Sequence, residues 1–253
     1  GTLTWKLTED GTLTIGGSGE MDSLGYPWED YASTVRRLEV QSGVTSIAKF
    51  AFSGFEALEE VVLADTVTII DGSAFSMCDK LSKLDLGSGL RVIYSHAFEF
   101  CDSLEEVNLP ASASSISPSA FENCGSLQNF HVASGNETYC DVDGVLFWNG
   151  KILLAAFPGG RTGSYTVPGS VKTIGDCAFY ASKLTEVVLP SGIKAMGDYC
   201  FRYSTVSQLT LPVGLENLGV GTFEACRELK TVTVPGSVKT VPESAFFGSG
   251  LET

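Results

Sequence analysis

The chain has 253 residues, of which 43% are hydrophobic and 18% charged; this composition favours a folded protein with a sizeable core and excludes disorder as its main state. Thirty acidic and sixteen basic side chains give a formal net charge of −14 at pH 7, which lacks the cationic field that nucleic acids or anionic membranes require. No apolar run reaches the ~18 residues of a membrane-spanning helix, so we expect neither a nucleic-acid partner nor membrane insertion.

Residues 1–43 are predicted to form an N-terminal cap. Two runs of alternating apolar residues, Leu3–Leu7 and Thr12–Ile15, flank Asp10-Gly11, a dipeptide typical of tight hairpin turns, so we expect a β-hairpin. The segment has neither the charged nor the apolar region of a secretory leader, and we expect any leader to be cleaved or to lie outside this sequence. The aromatic side chains that follow the hairpin are expected to cover the first repeat: Tyr26, Trp28 and Tyr31.

From residue 44 onward the sequence repeats. The marker is a phenylalanine, usually preceded by alanine, whose successive spacings are 23, 23, 23, 58, 22, 22 and 23 residues. Such a period indicates a solenoid, in which each coil buries its apolar face against the neighbouring coils. We expect these eight phenylalanines to stack into a buried ladder: Phe52, Phe75, Phe98, Phe121, Phe179, Phe201, Phe223 and Phe246.

Each period predicts two short strands. In the third coil Val107 and Leu109 alternate with polar residues and are followed by Pro110, which ends the first strand. Leu90–Ile93 forms a shorter second strand, and Ala97–Phe98 is expected in a tight helical or 3-10 turn. The predicted fold class is therefore a repeat solenoid, mostly β, with stacked short parallel strands.

The 58-residue spacing predicts an insert at about 134–168 in a repeat array that spans 44–253. Asn149-Gly150 separates Val145–Trp148 from Lys151–Phe157, which predicts an inserted β-hairpin. Both faces of this hairpin are apolar. One face is expected to pack on the solenoid, and the other to pack within the chain or to bind a partner. We expect the cap, the array and the insert to form one continuous structural unit.

Residues Leu104–Cys124 resemble the coil of BspA-like leucine-rich repeat proteins, L-x-x-L-x-L-P-x-x-L-x-x-I-x-x-x-A-F-x-x-C. The family positions are occupied by Leu104, Val107, Leu109, Pro110, Ile116, Ala120, Phe121 and Cys124, with Ala113 replacing one apolar residue. The resemblance implies a right-handed leucine-rich-repeat coil in a secreted or surface protein of bacteria, used in adhesion or protein binding and without catalytic residues. No asparagine ladder is expected, because the eighth position after the first leucine holds Thr66, Gly89, Ser112 or Ser237.

Cysteine and histidine are the residues of this sequence whose side chains most often act as nucleophiles, acid–base groups or metal ligands. Four cysteines lie three residues after a ladder phenylalanine, where other coils have Phe or Ser, so we expect buried free thiols at Cys78, Cys101, Cys124 and Cys226. The environment of the others is left open: Cys140, Cys177 and Cys200. No C-x-x-C spacing occurs, and His96 and His131 are expected to be exposed and unpartnered. We therefore predict no catalytic, cofactor or metal site.

Outward-facing strand residues form the candidate partner-binding face, together with the tryptophan of the insert: Glu60, Lys83, Asp85, Glu106, Asn108, Asn129, His131, Glu186, Gln208 and Trp148. Solenoids bind partners through such extended faces, although an ordinary solvated face would show the same pattern. The first hypothesis is a non-enzymatic extracellular or cell-surface module that binds protein, for example a host extracellular-matrix or surface protein, through this face or the insert. The second is a spacer or stalk that displays another domain. Carbohydrate binding is third, because the outward strand positions hold no aromatic residue.

The C-terminal end of the array carries a separate expectation. The coil that contains Phe246 continues only through Leu251, so the strand at Thr231–Val234 is predicted to be an open edge with unpaired backbone groups. We expect weak self-association through that end.

Overall fold

In the computed structural model, residues 2–22 and 25–252 are described; they form stacked coils of short β-strands with one 3-10 helix, Glu29–Tyr31. The chain divides into two compact units, Gly1–Tyr139 (unit 1) and Cys140–Thr253 (unit 2), and each is described by itself. Within the described ranges, no helix has both the length and the apolar character needed to cross a bilayer.

Unit 1 contains two parallel arrays of strands. One array begins at an antiparallel hairpin and has the order β1-β2-β3-β5-β7. The separately paired strands β9 and β11 continue it, and we call the two groups together the first sheet. The shorter strands form the second sheet, in the order β4-β6-β8-β10. The strands are β1 (Thr2–Leu7), β2 (Thr12–Ser18), β3 (Arg37–Val40), β4 (Ser46–Ile47), β5 (Glu60–Leu63), β6 (Ile69–Ile70), β7 (Lys83–Asp85), β8 (Val92–Ile93), β9 (Glu106–Leu109), β10 (Ser115–Ile116) and β11 (Asn129–Val132).

Unit 2 repeats this arrangement. Its strands are β12 (Tyr139–Val142, of which the first residue belongs to unit 1), β13 (Val145–Trp148), β14 (Leu153–Ala156), β15 (Thr162–Thr166), β16 (Thr173–Ile174), β17 (Lys183–Val188), β18 (Ala195–Met196), β19 (Gln208–Leu209) and β20 (Asn217–Leu218). One sheet has the order β12-β13-β14-β16-β18-β20, and the other has the order β15-β17-β19.

Both predicted hairpins are confirmed, and each leads into a sheet of its unit. In the cap, Leu7 lies opposite Leu13 in the antiparallel pair β1-β2, and β2 then pairs in parallel with β3. In the insert, β13 and β14 are antiparallel across Asn149-Gly150, and β14 then pairs in parallel with β16. Each hairpin therefore supplies the edge on which the following coils stack.

A ladder of stacked aromatic rings forms the centre of each unit. In unit 1 the ring centroids are 5.2–5.7 Å apart and the planes lie within 13° of parallel, in the order Trp28, Phe52, Phe75, Phe98 and Phe121. In unit 2 they are 4.8–5.6 Å apart, in the order Phe157, Phe179, Phe201, Phe223 and Phe246. Each fully buried ring contributes about 1.5–3 kcal/mol by burial. The predicted ladder is confirmed and extended by a leading ring in each unit, Trp28 and Phe157.

The turns around the ladder share a backbone conformation and a hydrogen bond. The N–H of each of the inner ladder phenylalanines donates to the carbonyl oxygen of the residue before the next ladder ring; Phe75 to Ala97, at 2.8 Å, is an example. Residues two positions before and after the ring adopt left-handed φ values, which turn the chain sharply and direct their side chains outward. These are Phe50, Ser73, His96, Cys177, Tyr199, Gly221 and Ser244 before the ring, and Gly54, Met77, Phe100, Asn123, Ala181, Tyr203, Ala225 and Gly248 after it.

Small polar side chains link adjacent coils at the position where no asparagine ladder was expected. Thr66 Oγ1 and Ser112 Oγ donate to carbonyl oxygens of the preceding coil at 2.8 and 2.6 Å. Asn136 Nδ2 makes the corresponding bond at 2.9 Å in a later coil. At Gly89 the coils approach so closely that a Cβ would lie 1.9 Å from the carbonyl oxygen of Asp65. Hydroxyl groups and glycines thus occupy this position, and the amide of Asn136, one residue further along its coil, makes the same kind of bond.

The predicted edge strand at Thr231–Val234 is wrong. In the part of the chain that the structure describes, no strand follows β20. Val232 and Val234 still pack against the core of unit 2, so the inward and outward alternation is kept. The side chains of this segment therefore keep the repeat pattern, while its backbone lacks the regular pairing of a strand.

Candidate binding surface

The outward face of the first sheet in unit 1 carries seven of the ten residues predicted to bind a partner. The parallel registers place Glu60 opposite Lys83, Glu106 opposite Asn129, and Asn108 opposite His131. Lys83, Asp85, Glu106, Asn108 and His131 are exposed, whereas Glu60 and Asn129 are half-buried. The strand stacking therefore brings these side chains into one polar surface, as their alternation predicts.

Charges on this surface are partly paired along its first strands. The Arg37 guanidinium binds the Glu60 carboxylate of the next strand and lies 2.9 Å from Glu39 Oε1. These half-exposed pairs orient the side chains but contribute little to stability, on the order of 0–1 kcal/mol each. The Glu60 carboxylate is therefore neutralised within the chain and is the least available member of the predicted face.

A shallow depression of about 470 Å³ lies where β7, β9 and β11 end. Its polar lining consists of Asp85, Asn108 and His131, and the turns that follow the strands contribute Gly87 and Pro110. Asp85 Oδ1 accepts a hydrogen bond from the Gly87 N–H at 3.0 Å, which holds this carboxylate in place. The depression thus presents a carboxylate, an amide and an imidazole on rigid elements, next to apolar turn residues.

Unit 2 holds two of the remaining predicted residues in a depression of its own. Glu186 lies opposite Gln208 in the parallel pair β17-β19, and both line a depression of about 420 Å³. The same depression is lined by Val188 and Val213, whose side chains are exposed. This depression therefore presents two exposed valines beside the carboxylate of Glu186 and the amide of Gln208.

The insert hairpin buries most of both its faces. Val145, Leu146 and Phe147 of β13 are fully buried. Of the two alternatives for the second apolar face of the hairpin, packing within the chain or binding a partner, the structure therefore shows packing within the chain. Trp148, the tenth predicted residue, is exposed at the turn of the hairpin, as is Ile152 across the turn. The apolar surface that the insert offers to a partner is therefore confined to this tip.

Each of the two histidines faces a glutamate of an adjacent coil. His96 Nε2 lies 3.6 Å from Glu122 Oε2, and His131 Nε2 lies 3.9 Å from Glu106 Oε1. Their side chains are partly exposed, but the prediction that they are unpartnered is wrong. The sequence could have predicted these contacts, because each glutamate lies about one repeat period from its histidine and so belongs to the adjacent coil.

The predicted free thiols at the four ladder positions are confirmed. All seven cysteines are free; Cys200 is buried with the ladder thiols, and Cys140 and Cys177 are partly exposed. Burial raises the pKa of Cys78, Cys124 and Cys226 to about 12. A thiol kept protonated in this way is a poor nucleophile and a poor metal ligand.

Exposed aromatic residues lie on the turns. The sequence had predicted no aromatic residue at the outward strand positions. Phe50, Tyr94 and Phe100 of unit 1 and Tyr203 of unit 2 are exposed on their respective turn edges. The guanidinium carbon of Arg202 lies 4.8 Å from the Tyr203 ring centroid. Three of these aromatics lie two residues from a ladder phenylalanine in sequence, and that position would have predicted their exposure.

Comparison with known proteins identifies the repeat. A family model described as "BspA type Leucine rich repeat region" matches residues 30–142 and 151–253, with six copies. No curated protein matches the chain.

Several solved structures share the fold. A leucine-rich repeat protein from Eubacterium ventriosum is 26% identical with a TM-score of 0.79, over 99% of this chain and 75% of that one. The pneumococcal vaccine antigen PcpA is 23% identical with a TM-score of 0.69, over 98% of this chain and 83% of that one. A leucine-rich cell surface protein from Faecalibacterium prausnitzii is 20% identical with a TM-score of 0.52, over 100% and 92% of the two chains.

Proposed function

Because the chain belongs to the BspA-type leucine-rich repeat family, we propose that it is a protein-binding module of a secreted or cell-surface bacterial protein. In this proposal, unit 1 binds the partner through the outward face of its first sheet, as other solenoids do, and the partner is a protein of the host matrix or of a cell surface. Two structural neighbours, a pneumococcal vaccine antigen and a leucine-rich cell surface protein, agree with an exposed location.

The observation that carries the proposal is the depression lined by Asp85, Asn108 and His131. Protein interfaces need fixed polar groups beside apolar surface, and here both are held by strand ends and their turns. The carboxylate accepts hydrogen bonds, the amide donates and accepts, and the turn residue Pro110 offers apolar contact. The depression therefore suits a protruding loop with a basic residue, and the net charge of −14 favours its approach.

Binding to immobilised fibronectin, laminin and collagen, measured by biolayer interferometry, tests this proposal. The triple variant Asp85→Ala, Asn108→Ala, His131→Ala is expected to bind at least about tenfold more weakly than the parent chain. The double variant Glu186→Ala, Gln208→Ala is the matched control, because it alters the corresponding depression of unit 2. Equal loss in both variants, or no loss in the triple variant, would contradict the proposed surface.

A panel in which no protein binds would support the spacer hypothesis instead. A spacer needs a stable solenoid and no specific binding face. If the chain is a spacer, charge reversal at Asp85 would therefore leave the signals of the binding panel unchanged. The panel therefore separates the two hypotheses.

Carbohydrate binding, the third hypothesis, is favoured by the exposure of Phe50, Tyr94 and Phe100 on the turns of unit 1. Exposed aromatic surface on a folded protein often marks a ligand site. A glycan array probed with the parent chain and with Tyr94→Ala tests this candidate. Glycan binding that Tyr94→Ala removes, while the triple sheet variant retains it, would assign the turn edge to sugars.

A further inference from the structure

Three side chains with metal-ligating atoms meet on the turn edge of unit 1. His96 and Glu99 lie on either side of Phe98, and Glu122 follows the next ladder ring, Phe121. One ligand atom from each of the three side chains lies within 4.8 Å of the others. The Glu122 side chain is only 8% exposed, whereas His96 is 43% exposed. One ligand is therefore held rigidly against the coils and another is open to solvent.

In unit 2 an ion pair between Glu224 and Arg202 occupies the coil positions that correspond to Glu122 and Glu99. There, Glu224 follows a ladder ring as Glu122 does, and it pairs at 2.8 Å with Arg202 of the preceding coil. In unit 1 the residue that corresponds to Arg202 is Glu99, so two carboxylates lie on adjacent turns. Like charges on neighbouring strands or turns destabilise the fold, and the repeat offers no arginine at this point. At the coil position where unit 2 has the Arg202 guanidinium, unit 1 thus has the carboxylate of Glu99, close to His96 and Glu122.

We propose that His96, Glu99 and Glu122 bind a divalent transition-metal ion of the zinc class. Zinc accepts imidazole nitrogen and carboxylate oxygen together, often with three protein ligands and a fourth position for water. Calcium and magnesium prefer sites made of oxygen atoms alone, so the imidazole favours zinc over them. The ion would offset both carboxylates and link two coils, as the arginine does in unit 2. This site is independent of the protein-binding surface proposed above.

Two features of the chain make the site easy to test. The sequence has only two histidines, so imidazole nitrogen signals in nuclear magnetic resonance belong to His96 or His131. His131 also faces a glutamate, which makes it the matched control. Cys140 and Cys177 are partly exposed thiols, and both are changed to Ser in the parent chain so that zinc cannot bind them.

The experiment titrates this parent chain with zinc chloride and follows heat and imidazole signals. We expect one saturable site, a shift of the His96 Nε2 signal alone, and a higher melting temperature with zinc. His96→Ser and Glu122→Gln are each expected to weaken binding at least about tenfold, whereas His131→Ser leaves it unchanged. Ser is suitable at position 96 because Ser73 and Ser244 adopt the same left-handed conformation at the equivalent position.

The proposal is overturned by any of three results. The first is no saturable binding up to about 100 μM zinc, a Kd corresponding to about −5.5 kcal/mol. The second is an equal shift of both histidines, which indicates non-specific binding. The third is unchanged affinity in Glu122→Gln, a near-isosteric variant whose fold is checked by circular dichroism. In each case His96 and Glu122 form only the 3.6 Å side-chain contact seen in the structure.

Discussion

The thiol of Cys101 donates a hydrogen bond to the carbonyl oxygen of Phe75 in the preceding coil, with an Sγ···O distance of 3.3 Å. The same bond recurs at the other ladder positions, from Cys78, Cys124 and Cys226 to Phe52, Phe98 and Phe201, at 2.8–3.2 Å. Each thiol thus fills a small buried space and binds the backbone of the coil before it. This explains why cysteine recurs at the position without forming disulfides.

The first prediction concerns thiol accessibility. In the native chain only Cys140 and Cys177 are expected to react readily with Ellman's reagent, because the other thiols are buried and remain protonated. After denaturation without reductant all seven cysteines are expected to react. Rapid reaction of a ladder thiol in the native state would show that the coils open, and fewer than seven reactive thiols after denaturation would reveal a disulfide.

A second prediction concerns alkaline pH. Burial raises the pKa of Cys78 from 9.0 to about 12, so the unfolded thiol loses its proton at a lower pH than the folded one. The stability that buried thiols contribute is complete below pH 9.0 and is lost as the pH rises toward 12. The free energy of unfolding in urea is expected to fall across this window. Cys101→Ser should show a smaller fall, and an identical fall would assign the effect to other groups.

Removal of a central ladder ring is expected to leave a cavity between two coils. Phe98 is fully buried between Phe75 and Phe121, at 5.3 and 5.2 Å. Phe98→Ala should therefore lower the free energy of unfolding by about 3–5 kcal/mol in chemical denaturation. Phe247→Ala is the control, since this ring is 71% exposed. A cost below about 1 kcal/mol at Phe98 would be incompatible with a packed ladder.

Two glycines are expected to respond to alanine with opposite signs. A Cβ at Gly89 would lie 1.9 Å from the carbonyl oxygen of Asp65, so Gly89→Ala should destabilise the chain by about 1–3 kcal/mol. Nothing lies within 4 Å of a Cβ at Gly236, where alanine should stabilise by about 0.4–1 kcal/mol by restricting the unfolded chain. Thermal unfolding of the two variants measures both. A neutral Gly89→Ala would mean that the coils are further apart at this point.

The repeat predicted the ladder because a fixed period places equivalent side chains on top of one another. Phe157 was missed, although Ala156-Phe157 lies 22 residues before Phe179, because the alternating pattern of the insert hairpin dominated that segment. Trp28 was recognised only as a covering residue. Its indole replaces phenyl, but its stacking on Phe52 at 5.7 Å makes it the first ring of the ladder.

Contacts between coils were harder to predict than the coils themselves. The alternation in β7, β9 and β11 predicted which side chains face outward, but the depression depends on how the turns after these strands pack. His96 and Glu122 meet because the left-handed backbone at His96 directs its side chain outward toward the next coil. That backbone conformation follows from the turn geometry, which the spacing of apolar residues does not specify.

The most direct test of the protein-binding account is hydrogen exchange of the chain with and without the matrix protein that binds it most tightly. We expect slowed exchange in the peptides that contain β7, β9 and β11 and in the turns that follow them, because the partner covers the depression at Asp85, Asn108 and His131. Protection confined to the insert hairpin around Trp148, or to the turn edge around Tyr94, would contradict this account.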